Sequence, residues 1–484
     1  MFDVVVAGGG IGGLSFALAA RAAGLRVCVL ERSANVVRAN LGGGLGLWPP
    51  SQQVLRELGV LPALIARGRY MPPPRYCNHR AQVLGQPTPH FAERFPILCV
   101  ERSVLLEVLE ARCVEAGVIL RPACELRSYT VTDADAAPVL LELATPQGVE
   151  GLATDLLVGA DGIHSRVRSQ MLGPDRAVRP QHCGYSYFRS SVPIALRAPD
   201  ADWHALAFES WGQGIRFGYV PMREPQVFWF MAVPIGHAGL QPEQGARALR
   251  EAEKRWLLER LAAWQGPAPC PDQPRLDLTR LVQATAAEEI LRTDIYKVAG
   301  VTRFPWVDRS SRVVLLGDAC HATAPNLAQG AGLSIEDAAE LAWQLRLALE
   351  ALPQLPGTRA ATDAALNHAL QAYAQGRKPR AWMVQTLADT VAWVGQQRGA
   401  LAAARDALMR LPTRHLPALS GRIFEAVVAR SLGAGPGQLS WETPSRACSP
   451  VEAVLGTPTF ERALGGASGE FRRRREGGRG QGLV

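Results

Sequence analysis

The sequence predicts an α/β chain: a parallel-sheet domain of the dinucleotide-binding type, interrupted by an antiparallel sheet and followed by helices. Three stretches carry that reading. Near the N-terminus, Val4-Val5-Val6-Ala7 is followed by Gly8-Gly9-Gly10-Ile11-Gly12-Gly13, a helix to about Ala23, and a second apolar run, Val27-Cys28-Val29-Leu30, that ends on Glu31. Far along the chain, Val313-Val314-Leu315-Leu316 ends on Gly317-Asp318, and Pro325 to Gly332 leads into an amphipathic helix. Between them, residues 179 to 283 hold strand-like segments rich in aromatic residues. Short, wholly apolar runs are what strands buried on both faces require.

The 484 residues, 48% hydrophobic and 20% charged, describe an ordinary globular chain of two to four domains. A net charge of +8 invites a nucleic-acid reading, but half of it comes from Arg472 to Arg475 and Arg479 less Glu476. The rest is mildly basic and lacks a basic helix interleaved with aromatics, so nucleic acid is excluded as a partner. Nine cysteines, at 28, 77, 99, 113, 124, 183, 270, 320 and 448, form no CxxC pair and suit free thiols in a reducing compartment. Cys320-His321 lacks a second ligand pair nearby in sequence, so no metal site is expected. Residues 4 to 20 carry no charge, yet five of the seventeen are glycines and no basic segment precedes them. A first strand therefore fits better than a signal peptide or a membrane span, and a cytoplasmic location is expected.

Taken in order, the N-terminal run has the parts of a dinucleotide fingerprint at the right spacing. Gly8 makes the turn, Gly10 allows pyrophosphate close, Gly13 lets helix and strand pack, and Glu31, with Arg32 beside it, stands where ribose hydroxyls are bound. The fingerprint alone does not separate FAD from NAD. The segment 41–50, LGGGLGLWPP, is glycine-dense around Gly44, and Ser51 to Leu58 reads as a helix closed by Gly59. Met71 to Phe95 changes to prolines and short mixed runs, an excursion into a second domain. Ile97 to Val100 returns to the core, and Glu101-Arg102-Ser103 opens a helix; a cation is poorly placed at such an end unless an anion joins it. Val118 to Leu143 reads as a strand meander. Leu156 to Ala160 is a further buried strand ending in Asp161-Gly162-Ile163-His164-Ser165-Arg166. In the aromatic-rich region, Tyr187, Arg189, Phe217, Tyr219 and Trp229 are candidates for lining a substrate pocket, and Pro242 to Ala263 reads as a helix.

The second glycine-rich stretch separates the cofactors. Asp318 stands at a strand end beside a helix N-terminus, so a carboxylate can hold a polyol while free amides face an anion. Ser334 and Asp337 look like a capping pair at that helix start, and Ile335, Ala338, Ala342 and Leu345 form its buried stripe. After Leu349 come helical segments 362–376, 381–396, 399–410 and 421–432. The charges at 377–380 are expected on a solvated face, and 434–484 are expected to be partly disordered.

Gly317-Asp318, Pro325 and the Gln329-Gly330-x-x-x-x-Ile335-Glu336-Asp337 run resemble the second flavin motif of the class A FAD-dependent monooxygenases. That family includes p-hydroxybenzoate hydroxylase, which gives its fold type, salicylate hydroxylase and zeaxanthin epoxidase. Arg102 in Val-Glu-Arg-Ser and the Asp161-Gly162 motif match the family as well, in family order, as does Tyr373 with Arg377-Lys378-Pro379-Arg380. The resemblance implies FAD as cofactor, held by Gly8, Gly10, Gly13, Glu31, Arg32, Gly44, Arg102, Asp161 and Asp318, with the amides of Gly330, Ala331 and Gly332 at the flavin pyrimidine edge and Pro325 walling the flavin face. It implies a cofactor domain over 1–70, 97–178 and 284–380, a substrate domain over 71–96 and 179–283, and a helical region over 381–433. It further implies NADH or NADPH as co-substrate without a nicotinamide domain of its own, dioxygen, and transfer of one oxygen atom from a flavin hydroperoxide to an aromatic or similar electron-rich small molecule. Two alternatives stay open: oxygenation of an isoprenoid or quinone lipid at a membrane surface, and a flavin-binding redox-responsive protein without turnover. An NAD-dependent dehydrogenase would leave Gly317-Asp318 and Asp161-Gly162 without a purpose. Ala328, where glycine is frequent, and Leu333-Ser334 depart from the family pattern.

Overall fold

A computed structural model describes residues 2–35, 43–133, 138–193, 206–235, 246–268, 275–354, 356 and 358–432. The tail 434–484, the first two residues of 41–50, and 242–245 of the expected helix lie outside that set.

The apolar runs form the centre of the first sheet. Its order is Ile119–Arg121, Val27–Leu30, Phe2–Ala7, Gly148–Gly159, Val139–Thr145 and Glu125–Val131, and Val313–Leu315 pairs in parallel with the end of Gly148–Gly159. The long strand Gly148–Gly159 does two jobs. Its second half lies parallel to Phe2–Ala7, with Val4 opposite Leu156, and its first half runs antiparallel to Val139–Thr145. The meander thus hydrogen-bonds to the parallel sheet and shares one core with it, in which Val5, Cys28, Leu157 and Val314 have no exposed surface.

The aromatic-rich region forms a second sheet, ordered Leu291–Lys297, Gln181–Pro193, Gln226–Pro234, Arg216–Pro221, Ala207–Trp211, Pro74–Asn78 and Val83–Gly85. It is antiparallel except that Ala207–Trp211 runs parallel to Pro74–Asn78. Leu291–Lys297 belongs here, so the chain returns to the first sheet later than residue 284. The helices Ala246–Leu261 and Thr279–Ala284 cover one face of this sheet. A small third sheet of Gly44–Leu47, Leu98–Glu101 and Arg69–Tyr70 joins the two.

At the C-terminus the helical segments 362–376 and 381–396, expected as separate, are continuous through Pro379. One helix of 37 residues, Arg359–Gly395, runs through it. Proline removes a backbone donor and crowds the preceding turn, but here Tyr373, Arg377 and Arg380 all bond to the first domain around that point and hold the helix together. Helices Gly399–His415 and Pro417–Ser431 follow.

Candidate active site

The fingerprint glycines divide by what constrains them. Gly8 has a φ of +113°, and a Cβ there would come within 2.3 Å of the Ala160 carbonyl oxygen. A Cβ on Gly13 would lie 2.0 Å from the Gly8 oxygen. Both are glycine because the protein's own backbone leaves no room. A Cβ on Gly10 would meet nothing within 4 Å. Gly10 faces open space at the start of the helix Ile11–Ala22, where unpaired amides suit a pyrophosphate.

Glu31 stands beside this loop. Its Oε2 accepts the Gly9 N–H at 2.9 Å and its Oε1 the Ser33 N–H at 2.7 Å, leaving lone pairs on both oxygens for hydroxyl donors. Arg32 is exposed. Asp161 is placed beneath the glycine loop. Its Oδ2 accepts from the amides of Arg166 and Val167, capping the helix Arg166–Leu172, and its Oδ1 is buried with no hydrogen-bond partner. Burial pushes this carboxyl up, against the hydrogen bonds from Ser165 and the helix amides that pull it down.

The second cofactor stretch converges on the first. A Cβ on Gly12 would touch Leu316 at 2.8 Å and Ser334 at 3.1 Å, so the two glycine-rich helices pack closely at their N-terminal ends. Asp318 follows the strand Val313–Leu315 and is exposed, and its carboxylate makes no hydrogen bond among the described residues. The helix Gly330–Ala351 starts earlier than the expected cap, with Gln329 at its N-cap, and Gly330, Ala331 and Gly332 form its first turn. Their amides precede the first helical acceptor. These are the features a dinucleotide cofactor with a polyol chain needs: an open glycine, two convergent amide clusters and an accessible carboxylate between them.

Asp337 is not a cap. It lies wholly buried and accepts from the Gly317 N–H at 3.2 Å, from His321 Nε2 at 2.5 Å and from Arg377 Nε at 2.6 Å. Burial would raise its pKa, but His321 and Arg377 together bring it down to about 2. For His321 burial pulls downward and Asp337 more than offsets it, so the imidazole is raised. Glu336 pairs with both Arg377 and Arg380. The charges at 377–380 are therefore not a solvated face. They neutralise an acidic pair and fix the turn that carries Asp318.

Alternation along the second sheet corrects three of the pocket candidates. Phe217, Tyr219 and Trp229 point to the helix-covered face, fully buried with Leu257, Leu261 and Leu281, and Trp229 Nε1 bonds to Thr285. The opposite face carries Tyr185, Tyr187, Arg189, Arg216, Phe228 and Phe230, and this face meets the cofactor loops. Asn326, in the turn Pro325–Leu327, accepts at Oδ1 from the Tyr185 and Tyr187 hydroxyls at 3.3 and 3.1 Å and from Arg216. Its amide nitrogen donates to the Tyr185 hydroxyl and to the Ala388 carbonyl. Arg216, with no exposed surface, also donates to Glu209 and to the Tyr187 hydroxyl. Burial pushes the Tyr187 hydroxyl up to about 12 while Arg216 pulls it down, so it is a neutral phenol at ordinary pH.

The same loop is held from two further sides. Trp48 Nε1 donates to the Leu327 carbonyl at 3.2 Å, and Gln329 Nε2 donates to Ser431 Oγ at 2.7 Å. Pro325 itself is exposed at the loop's edge. Gly44 sits against the roof, where a Cβ would lie 2.8 Å from the Phe228 ring. Arg102 begins the helix Arg102–Glu115, and its positive charge, after burial, depresses the basicity of Arg189, whose buried Nε has no hydrogen-bond partner. Sequence reasoning missed Arg216, Asn326, Phe228 and Phe230 as site residues. The available signal was parity: fixing Tyr187 on the cofactor side places Arg189, and across the ladder Arg216 and Phe230, on the same face.

Comparison with known proteins agrees with this geometry. A family model described as "FAD binding domain" matches residues 1–257 and 275–388. The aurachin C monooxygenase/isomerase of Stigmatella aurantiaca is 30% identical over 412 residues, 84% of this chain and 94% of that protein. The chloroplastic zeaxanthin epoxidase of Solanum lycopersicum is 28% identical over 415 residues, 80% of this chain but 54% of its own length. Among solved structures, Klebsiella pneumoniae HpxO complexed with FAD and uric acid superposes with a TM-score of 0.69 at 22% identity, covering 90% of this chain and 97% of that one. PqsL from Pseudomonas aeruginosa gives 0.65 at 22% identity, covering 84% and 99%. By its matched length and its relatives, the chain belongs to the FAD binding domain family of FAD-dependent monooxygenases.

Proposed function

We propose that this monooxygenase acts on an electron-rich ring compound with substantial apolar surface, bound between the flavin loops and the face of the second sheet that carries Tyr187, Phe228 and Phe230. The observation that carries the reading is the makeup of that face: aromatic side chains around a polar cluster whose hydrogen bonds are largely met internally. FAD, when bound, supplies the reaction of NADH- or NADPH-derived electrons with dioxygen and the delivery of one oxygen atom.

The chain's own residues do the rest. Gly10 and the amides at both helix starts take the pyrophosphate and the ring edge, and Asp318 takes the ribityl hydroxyls. Asn326, fastened by Tyr185, Tyr187 and Arg216, fixes the wall formed by Pro325. The neutral Tyr187 hydroxyl already donates to Asn326 and accepts from Arg216, so it orients the loop rather than taking a proton. Arg189, with an unpartnered buried Nε beside the charge of Arg102, is the group assigned to a substrate oxygen carrying negative charge. Phe228 and Phe230 exclude water from the ring. Two domains follow, with the boundary at 284 moved past Leu291–Lys297.

The similarity to an aurachin C monooxygenase, over 84% of this chain and 94% of that protein, supports oxygenation of a small organic molecule. The test is NADH and NADPH consumption by the FAD-loaded protein against phenols, ring carboxylates, quinolones and quinones, with hydrogen peroxide followed in parallel. A compound that speeds oxidation and gains one oxygen atom supports the reading. Turnover only with small, fully polar acids would overturn the apolar part of it.

A further inference from the structure

We propose that the C-terminal helical hairpin, Gly399–His415 and Pro417–Ser431, docks this enzyme on a bilayer surface containing anionic phospholipid. The inner side of the hairpin is anchored to one underlying surface. Thr413 donates to the Leu84 carbonyl, Asn78 donates to Asp406, and Glu425 accepts from Thr88 and pairs with Arg94. Both helices therefore turn their other side outward together. That side carries Leu401, Leu408 and Leu411 on the first helix and Leu419, Ile423 and Val427 on the second, each between 47% and 71% exposed. Leucines at intervals of three and seven residues normally face a core. Here they face outward, and an exposed apolar surface of this extent marks an interaction site.

Charge selects the occupant. Residues 398–432 contain six arginines and two carboxylates. Both carboxylates are turned inward, with side-chain exposures of 2% for Glu425 and 17% for Asp406. Arg414, Arg422 and Arg430 are exposed among the leucines. A second copy placed on this face by a two-fold axis would set cations against cations. The segment beyond residue 432 holds seven arginines and five glutamates, so it too has the wrong sign. A layer of anionic headgroups over acyl chains satisfies both the arginines and the leucines.

The long helix before the hairpin ends in the same style. Trp382 and Trp393 are 54% and 68% exposed, and along their stripe Thr386, Thr390 and Gln397 donate back to the carbonyls four residues earlier. Tryptophan is enriched where water meets lipid. The location also bears on chemistry. The inner side of Pro417–Ser431 contributes Phe424, Val428 and Ala429 to a cluster with Trp48 and Phe228, so a single helix separates the aromatic roof from the outward leucines.

The experiment needs no turnover and so stands apart from the substrate assignment. FAD-loaded full-length protein is sedimented with sucrose-filled vesicles of phosphatidylcholine, alone or with one part in three of phosphatidylglycerol. Binding to the anionic vesicles at least roughly tenfold stronger, weakened by added salt, is expected from several arginines at a charged surface. A double variant, L408E with I423E, should lose most of that binding while keeping flavin content and thermal midpoint. Equal binding by the variant, or no binding by the parent protein to anionic vesicles, overturns the proposal. A dimer in light scattering that the same variant dissociates also overturns it, in favour of a second copy.

Discussion

The ring of Phe228 occupies the space that a side chain on Gly44 would need, 2.8 Å from an ideal Cβ. Gly44 lies in the strand that follows the first cofactor motifs and Phe228 in the second sheet, so their contact fixes the distance between cofactor floor and roof. Gly44→Ala should force the roof outward, lowering stability by roughly 1–3 kcal/mol and kcat/KM with it. Pairing it with Phe228→Ala should recover part of the loss. Strict additivity in a double-mutant cycle on kcat/KM would show that the contact does not matter.

Gly10 and Gly13 should fail in different ways. Gly13→Ala places a methyl 2.0 Å from the Gly8 oxygen and is expected to lower apoprotein stability by several kcal/mol. Gly10→Val adds a Cβ that meets no protein atom within 4 Å and should leave the apoprotein thermal midpoint within about a degree or two, while FAD affinity drops by roughly 100-fold or more. Equal FAD affinity in Gly10→Val and the parent chain would remove the pyrophosphate assignment.

Asp318→Ala should weaken FAD retention by roughly 10- to 100-fold, since a charge-assisted hydrogen bond contributes about 1.5–3 kcal/mol. The carboxylate is exposed and makes no hydrogen bond among the described residues, so apoprotein stability should be unchanged. A purified variant with full flavin absorbance after dialysis would contradict the ribityl role.

The buried His321–Asp337 pair gives a pH signature with two limbs. His321 is raised in the folded state, so its contribution is fully present below its unfolded value of about 6.5 and is lost as pH rises through the folded value. Asp337 is lowered to about 2, so its contribution is present above about pH 4 and is lost as pH falls toward 2. Stability from urea titrations should therefore be greatest between about pH 4 and 6.5 as far as this pair is concerned. His321→Asn should cost roughly 2–4 kcal/mol at pH 6 and flatten the alkaline limb. An unchanged alkaline limb in that variant would mean His321 is neutral throughout.

Ala328 has a φ of +51° and a ψ of 35°, the left-handed conformation that costs a residue with a Cβ roughly 1 kcal/mol. The resembled family motif leads one to expect glycine here, and this backbone is one that glycine adopts without strain. Ala328→Gly should stabilise the loop by about 0.5–1 kcal/mol, read as a higher denaturation midpoint with FAD bound. A lower midpoint would show that the methyl group makes a compensating contact.

Legibility in the sequence followed the range of the interactions. The spacing of Gly13 was readable because its constraint, Gly8, lies five residues away, whereas Gly8 is constrained by Ala160, far along the chain. The placement of Asp318 was local too, since a strand and a helix flank it directly. Phe217, Tyr219 and Trp229 were misassigned because alternation identifies a strand without saying which face a helix will cover. That was decided by Leu257 and Leu261, some forty residues from Phe217. Asp337 was taken, with Ser334, for a helix start because its partner Arg377 lies forty residues downstream, on a helix read as two segments either side of Pro379. Ion pairing across that distance leaves no periodic trace.

The strand Val313–Leu315 sits beside Gly148–Gly159, yet more than 150 residues separate them in the chain, and five of the seven strands of the second sheet are made in between. On a ribosome, the first three hundred residues expose a parallel sheet whose missing edge is the one that carries Asp318. The carboxylate proposed for the ribityl chain is missing at that point, and the turn at Gly317 is fastened only when Arg377 emerges. Colour in a nascent chain would therefore appear abruptly, once Arg377 is out, and until then the open sheet edge is a surface on which a chaperone or another chain can pair.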